Sequence, residues 1–201
     1  MTLFSRAPNI LITHAGSTKF PNRINFVRLL RHKKIIFLVR DPRDIVVSLY
    51  HSARTREKIY EGSVSDFIRD EQFGFHHIIV FMNRWSAEMK RRPKDFLLIK
   101  YEDLKKDTHV QLRRIVDFFH IPASDDILKN AVDYGSFEHM RKLEMAGAVK
   151  DYRMKPGDVQ DPNSFRTRKG KVGSYKEELS ASDIAYINSH LQKLDPVLGY
   201  S

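Results

Sequence analysis

Three short apolar runs stand out from the polar background of the chain: Ile10-Leu11-Ile12, Ile35-Ile36-Phe37-Leu38-Val39 and Phe96-Leu97-Leu98-Ile99. Each is continuous rather than alternating, as in strands buried on both faces of a parallel sheet. Elsewhere apolar residues recur at three- and four-residue spacing. Phe75, Ile78, Met82, Trp85 and Met89 draw one stripe and predict a helix. A second helix opens at Asp41-Pro42, with Asp as cap and Pro at the first helical position, and runs through Ile45, Val46, Leu49 and Ala53. A third carries Leu112, Ile115, Val116 and Phe119. The last begins at Ser180, whose S-x-x-D spacing to Asp183 is a capping signal, and continues through Ile184, Ile187 and Leu191. Strands alternating with helices predict an α/β layered fold.

One long stretch breaks the periodicity, from about Gly147 to Gly173, interrupted by Pro156, Gly157, Pro162 and Gly170. Structureless loops beyond ~12–15 residues inside a compact domain are usually functional or disordered. This one carries Arg153, Lys155, Arg166, Arg168, Lys169 and Lys171, so residues 147–173 are read as a mobile basic flap. No internal repeat or low-complexity segment occurs.

The 201 residues suit one compact domain, and 41% hydrophobic with 11% aromatic content excludes a disordered or fibrous chain. No run approaches a bilayer span, and the N-terminus lacks a signal-peptide layout; a cytoplasmic location is the expectation. Zero cysteine excludes disulfides, thiolate metal sites and a Cys nucleophile. Lys and Arg number 35 against 25 Asp and Glu, a net charge of +10 that favours an anionic partner. Basic residues interleaved with acids, as in Arg54-Thr55-Arg56-Glu57-Lys58, read as solvated faces rather than a nucleic-acid surface. No metal is expected: His76 and His77 are adjacent on a helix and point apart, and His51, His109, His120, His139 and His190 stand singly in polar surroundings.

Ligands of open parallel sheets bind beyond the carboxyl ends of the strands. Each predicted strand there meets a distinctive polar residue: His14, Arg40 and Tyr101. A general base, a cation and an aromatic hydroxyl thus converge on one edge. Asp41 already caps the helix after Arg40, so an anion near this turn is held by side chains. Ser48, six residues past Pro42 and therefore about 9 Å along the helix, could bracket a phosphate together with Arg40. Taken singly, each has a plain structural reading: an Arg after a strand as a surface ion pair, a helical Ser as merely tolerated, a lone His as structural.

The segment from Ile35 to Ser48, Ile-Ile-Phe-Leu-Val-Arg-Asp-Pro-Arg-Asp-Ile-Val-Val-Ser, resembles the 3′-phosphate-binding segment of sulfotransferases that use 3′-phosphoadenosine 5′-phosphosulfate (PAPS). Two further stretches are similar to that family's motifs. Leu98-Ile99-Lys100-Tyr101-Glu102-Asp103-Leu104 resembles its Y-E-D turn, and Arg168-Lys169-Gly170-Lys171-Val172-Gly173-Ser174-Tyr175-Lys176 its R-K-G-x-x-G-x-W/Y-K loop. With Ser136-Phe137 they follow the family order over roughly residues 10 to 200.

The resemblance implies that Arg40 and Ser48 hold the 3′-phosphate while Arg168, Lys169 and Gly170 close over it. Tyr101 contacts the adenine, and Phe137 stacks on it beside Ser136. On residue type alone, Phe137 also suits core packing and Tyr101 a buried phenol. His14, in a T-x-H element like the family's, is implied as the base that deprotonates the acceptor. The implied reaction moves a sulfuryl group from PAPS, leaving adenosine 3′,5′-bisphosphate (PAP), to a hydroxyl or amine of a small-molecule, glycan or lipid acceptor. The implied fold is a three-layer, P-loop-nucleotide-hydrolase-like α/β domain with a parallel sheet, spanning 1–201.

The family's P-K-S-G-T-T-W loop, which cradles the 5′-phosphosulfate, is not found before His14, and the domain is expected to be N-terminally incomplete. Ala15-Gly16-Ser17-Thr18-Lys19 offers Gly, hydroxyls and Lys after a predicted strand, yet matches neither that loop nor G-x-x-x-x-G-K-[ST]. The alternative to an enzyme is a catalytically inactive nucleotide-binding remnant or scaffold of the same fold.

Overall fold

The computed structural model describes residues 10–12, 30, 32–148 and 158–200. The elements run β1 (Ile35–Val39), α1 (Pro42–His51), α2 (Val64–Arg69), α3 (Phe75–Arg91), β2 (Phe96–Lys100), α4 (Tyr101–Lys106), α5 (Thr108–Phe118), α6 (Asp125–Tyr134), α7 (Phe137–Met145), α8 (Tyr175–Glu178) and α9 (Ala181–Leu191). A π-helical turn, Ser52–Arg56, extends α1. Short 3₁₀ turns at Pro93–Asp95, Pro162–Ser164 and Pro196–Leu198 each begin on proline, whose fixed φ suits the first residue of a helical turn.

The expected helix starts form by the expected chemistry. The Asp41 side chain accepts from the Arg43 N–H, with Pro42 at the first helical position. Ser180 and Asp183 exchange side-chain and backbone bonds in a reciprocal capping box. The 75–89 stripe forms the buried face of α3, with Phe75, Ile78, Met82 and Trp85 all buried.

Strands β1 and β2 pair in parallel, with Ile35 opposite Phe96 and Val39 opposite Lys100. Phe37, Val39 and Phe96 join a core with Val46 and Val47 of α1, Phe75, Ile79 and Met82 of α3, and Ile187 and Leu191 of α9. Ile99, Val116 and Leu128 are buried outside this cluster, where α5 packs on β2. Helices therefore flank the sheet on both sides, the α/β layering that the alternation of patterns predicts.

Two strand expectations need correction. Ile10, Leu11 and Ile12 form no strand and are 84%, 66% and 79% exposed. A three-residue run holds no ladder without a paired neighbour, and among the described residues β1 and β2 pair only with each other. Nor is β1 buried on both faces: Ile36 is 37% and Leu38 54% exposed, since the helix on that side, α5, packs over β2.

Phe75 and Ile187, each 0% exposed, join α3 and α9 in the core. Phe75→Ala is expected to cost about 3–5 kcal/mol in chemical denaturation, the range for deleting a buried aromatic ring.

Candidate functional site

The sheet register builds the site. Val39 lies opposite Lys100, so the next residues of the two strands, Arg40 and Tyr101, emerge side by side at the carboxyl edge. The Arg40 guanidinium stacks on the Tyr101 ring at 4.5 Å from its centroid. Burial, opposed by the Arg40 charge, pushes the Tyr101 phenol above its ordinary pKa, so the hydroxyl keeps its proton. Glu102 locks the two turns together: Oε1 accepts from the Asp41 N–H at 2.8 Å and Oε2 from the Tyr200 hydroxyl at 2.6 Å. Burial and then the Glu102 hydrogen bond raise the Tyr200 pKa, so that hydroxyl is a permanent donor.

The R-K-G loop reaches the same edge. Arg40 Nη2 donates to the Lys171 carbonyl at 2.8 Å, across 131 residues of sequence. Asp44, in the first turn of α1, holds the loop there. Its side chain is 0% exposed and pairs with Arg40 at 3.3 Å. It also accepts from the Gly173 N–H at 2.8 Å, the Tyr175 N–H at 3.0 Å and the Ser174 hydroxyl at 3.2 Å. Gly173 adopts φ +75°, a left-handed conformation that lets its N–H turn onto the carboxylate. A second buried carboxylate, Glu144 of α7, grips the loop upstream by accepting from the N–H groups of Arg166 at 2.7 Å and Thr167 at 3.1 Å. Residues 166–175 are thus fastened at both ends of the predicted motif.

Between the clamps, Gly170 has φ +62° and lies against the Phe137 ring, where an added Cβ would come within 2.7 Å of the ring. The ring therefore rests on bare backbone beside Lys105, whose Nζ lies 5.8 Å from its centroid. Ser136 caps α7 by accepting from the His139 N–H at 3.3 Å. Ser48 is exposed on α1, on the flank that carries Asp44 one turn before it and His51 one turn after. That flank faces the loop along its length: below Asp44, His51 Nε2 meets Glu178, and Thr55 donates to the Asn163 carbonyl at 3.0 Å.

Arg168 and Lys169 do not point at Arg40. Arg168 Nη1 lies 2.9 Å and Lys169 Nζ 2.7 Å from Glu178 Oε1. Burial raises the Glu178 pKa, but hydrogen bonds from Lys169, His51 and Arg168 together outweigh it and hold the carboxyl at about 2. His51, expected to need no special role, is thus part of this cluster. Burial, reinforced by the charges of Arg168 and Lys169, lowers its pKa despite Glu178, so near neutrality it serves as an uncharged donor. His14 and Ala15 to Lys19 lie outside the described residues.

The cationic groups gathered here are ion-paired, yet one of their donors is left unused. Arg40 Nε is buried and has no hydrogen-bond partner among the described residues, a donor left over after Asp44 and the Lys171 carbonyl are served. Comparison with known proteins agrees with the order of the motifs: the Sulfotransferase domain family matches residues 5–195. The chain belongs to that family. This sulfotransferase-family chain is 28% identical over 173 residues to cytosolic sulfotransferase 14 of Arabidopsis thaliana, covering 78% of the chain and 46% of the relative. It is 31% identical over 159 residues to human sulfotransferase 2B1, covering 74% of the chain and 40% of the relative. The chain spans about half the length of the curated relatives it matches.

The fold is shared as well. A retinol dehydratase in complex with androsterone and inactive cofactor PAP superposes with a TM-score of 0.61 at 25% identity, covering 84% of this chain and 50% of that one. Mouse sulfotransferase SULT7A1 complexed with PAP gives 0.66 at 22% identity, with 84% and 60% covered. The P-loop-like α/β architecture expected from the sequence is the architecture of these sulfotransferases.

Asp44, Glu144, Glu102 and Glu178 were not singled out in the sequence, where carboxylates among basic residues look like solvated charge. Two experiments follow. Asp44→Asn removes one acceptor oxygen from a buried, charge-assisted set and is expected to cost about 3 kcal/mol, with faster amide exchange at Gly173 and Tyr175. The Glu178 carboxyl is more acidic folded than unfolded, so its contribution to stability is complete above about 4.5 and is lost as pH falls toward about 2. Between those pH values the wild-type chain should lose more stability than E178Q in parallel denaturation curves.

Proposed function

We propose that this chain binds the adenosine 3′-phosphate end of PAPS and is the nucleotide-gripping part of a sulfotransferase acting on a hydroxyl or amine. Bound PAPS supplies an activated sulfuryl group and a good leaving phosphate. The observation that carries the reading is the buried Arg40 Nε, without a hydrogen-bond partner among the described residues, beside the Lys171 carbonyl at the point where the β1 turn meets the R-K-G loop. A buried donor without a partner costs about 1–3 kcal/mol, and a phosphate oxygen would satisfy it. Arginine suits the task because its planar, permanently charged fork matches phosphate geometry.

The neighbouring residues divide the remaining work. Ser48, exposed on the same flank of α1, offers a hydroxyl to the phosphate. Gly170 gives backbone N–H access where a side chain would strike Phe137. Phe137 and Tyr101 present an aromatic face and a neutral phenol to the adenine, and Ser136 fixes the start of the helix that carries Phe137. Base stacking on such a ring is worth ~1–3 kcal/mol in other nucleotide-binding proteins. His14 is assigned the acceptor proton, and Arg168 and Lys169 supply charge over the phosphate.

Retinol dehydratase structures hold androsterone or retinol, each a small alcohol, and the acceptor proposed here belongs to that class of small hydroxyl compounds. A cytoplasmic location is proposed on the names of the Arabidopsis thaliana relatives, which are called cytosolic. No helix among the described residues is long and apolar enough to cross a membrane.

Calorimetric titration with adenosine 3′,5′-bisphosphate tests the reading. Binding is expected, and Arg40→Met should weaken it by about 10–100-fold, the worth of a charge-assisted hydrogen bond. No heat up to millimolar nucleotide would overturn the proposal.

A further inference from the structure

Glu178 ends α8, between Tyr175 and Leu179, which supply the packing at 7% and 8% exposure. Its side chain is 17% exposed and that of Arg168 12%, so this is no loose surface pair. Three donors converge on it. Arg168 Nη1 and Lys169 Nζ meet Oε1 at 2.9 and 2.7 Å, and His51 Nε2 meets Oε2. An anionic oxygen taking charge-assisted bonds from both Arg168 and Lys169 is what a phosphate monoester would also present to those groups. The nucleotide reading above needs those two side chains at the 3′-phosphate. Carboxylate and phosphate are therefore rivals for one pair of cations.

Asp44 is wholly buried and spends its oxygens on backbone N–H groups and a hydroxyl that no ligand replaces, while remaining within 3.3 Å of Arg40. Glu178 instead accepts from two long side chains and an imidazole, so it can be released without breaking backbone bonds. Its other oxygen keeps the His51 ring when the cations leave.

We propose that Glu178 sets the affinity of this chain for its nucleotide, occupying Arg168 and Lys169 in the free protein and yielding them to the 3′-phosphate. The proposal rests on the nucleotide reading and adds to it a named opponent of binding. The exchange is noncovalent: Arg168 and Lys169 leave the Glu178 carboxylate for the phosphate, and no covalent bond forms or breaks. A carboxylate left near a doubly charged phosphate repels it, so removing the charge strengthens binding, whereas a residue that merely props the loop would weaken binding when altered.

The test compares two nucleotides on wild type and E178Q, with thermal melts confirming that both are folded. Glutamine keeps the shape and an accepting oxygen but not the charge. E178Q is expected to bind adenosine 3′,5′-bisphosphate about tenfold more tightly while changing adenosine 5′-monophosphate by less than about twofold. Unchanged or weaker bisphosphate binding, or equal tightening of both nucleotides, overturns the proposal and leaves the nucleotide reading standing. A wild-type chain that binds neither nucleotide overturns that reading instead. If E178Q does not fold, carbon-13 NMR of the wild-type Glu178 carboxyl decides: its titration should move to higher pH on saturation with the bisphosphate, and an unmoved titration overturns the proposal.

Discussion

The site depends on one buried carboxylate. Asp44 joins the first turn of α1 to Gly173, Ser174 and Tyr175, residues 129 to 131 positions away in sequence, and pairs with Arg40 at the same time. Burying a charge is costly unless its lone pairs are met, and here backbone N–H groups, a hydroxyl and a guanidinium meet them. The same need makes the loop's path specific, because moving residues 173–175 away would leave the buried Asp44 carboxylate with Arg40 alone to meet its lone pairs. Glu144 repeats the device at Arg166 and Thr167. A stretch interrupted by glycines is in this way fastened to two helices, and the R-K-G motif is delivered to the edge of the sheet.

Around that clamp, one flank of α1 organises the rest. Asp44, Ser48 and His51 follow one another at helical spacing and face the loop, with Thr55 continuing the contact at Asn163. Parallel pairing of β1 and β2 sets Arg40 beside Tyr101, and Glu102 ties both turns to Tyr200 near the end of the described chain. These carboxylates hold cationic and aromatic groups together at the carboxyl edge of the sheet, the edge proposed to grip the nucleotide.

What could be read from the sequence was what depends on near neighbours. The Asp41-Pro42 start of α1, the Ser180 capping box and the Phe75-to-Met89 stripe rest on residues within a few positions, and each formed as its pattern requires. Helix α6 left a fainter local signal, Ser124 ahead of Asp125 and Asp126, a cap with acids in the first turn. The run Ile10 to Ile12 misled because apolar content marks a strand only when a partner is available to pair with it. Motif order placed Arg40, Tyr101, Phe137 and Gly170 in one neighbourhood, but not the carboxylates that hold or oppose them. Asp44, Glu144 and Glu178 act through partners joined by tertiary structure, and nothing local separates a clamping carboxylate from a solvated one. His51 reads as a lone polar histidine for the same reason, since its partner lies 127 residues away.

The central claim is that the Asp44 clamp brings the β1 turn and the R-K-G loop onto one phosphate. A crystal structure of the chain with adenosine 3′,5′-bisphosphate bound tests it most directly. The account requires the 3′-phosphate within hydrogen-bonding distance of Arg40 Nε and of the Arg168-to-Gly170 backbone, with Asp44 still holding Gly173 and Tyr175. A phosphate bound elsewhere, or a loop released from Asp44 when the nucleotide is in place, would contradict it.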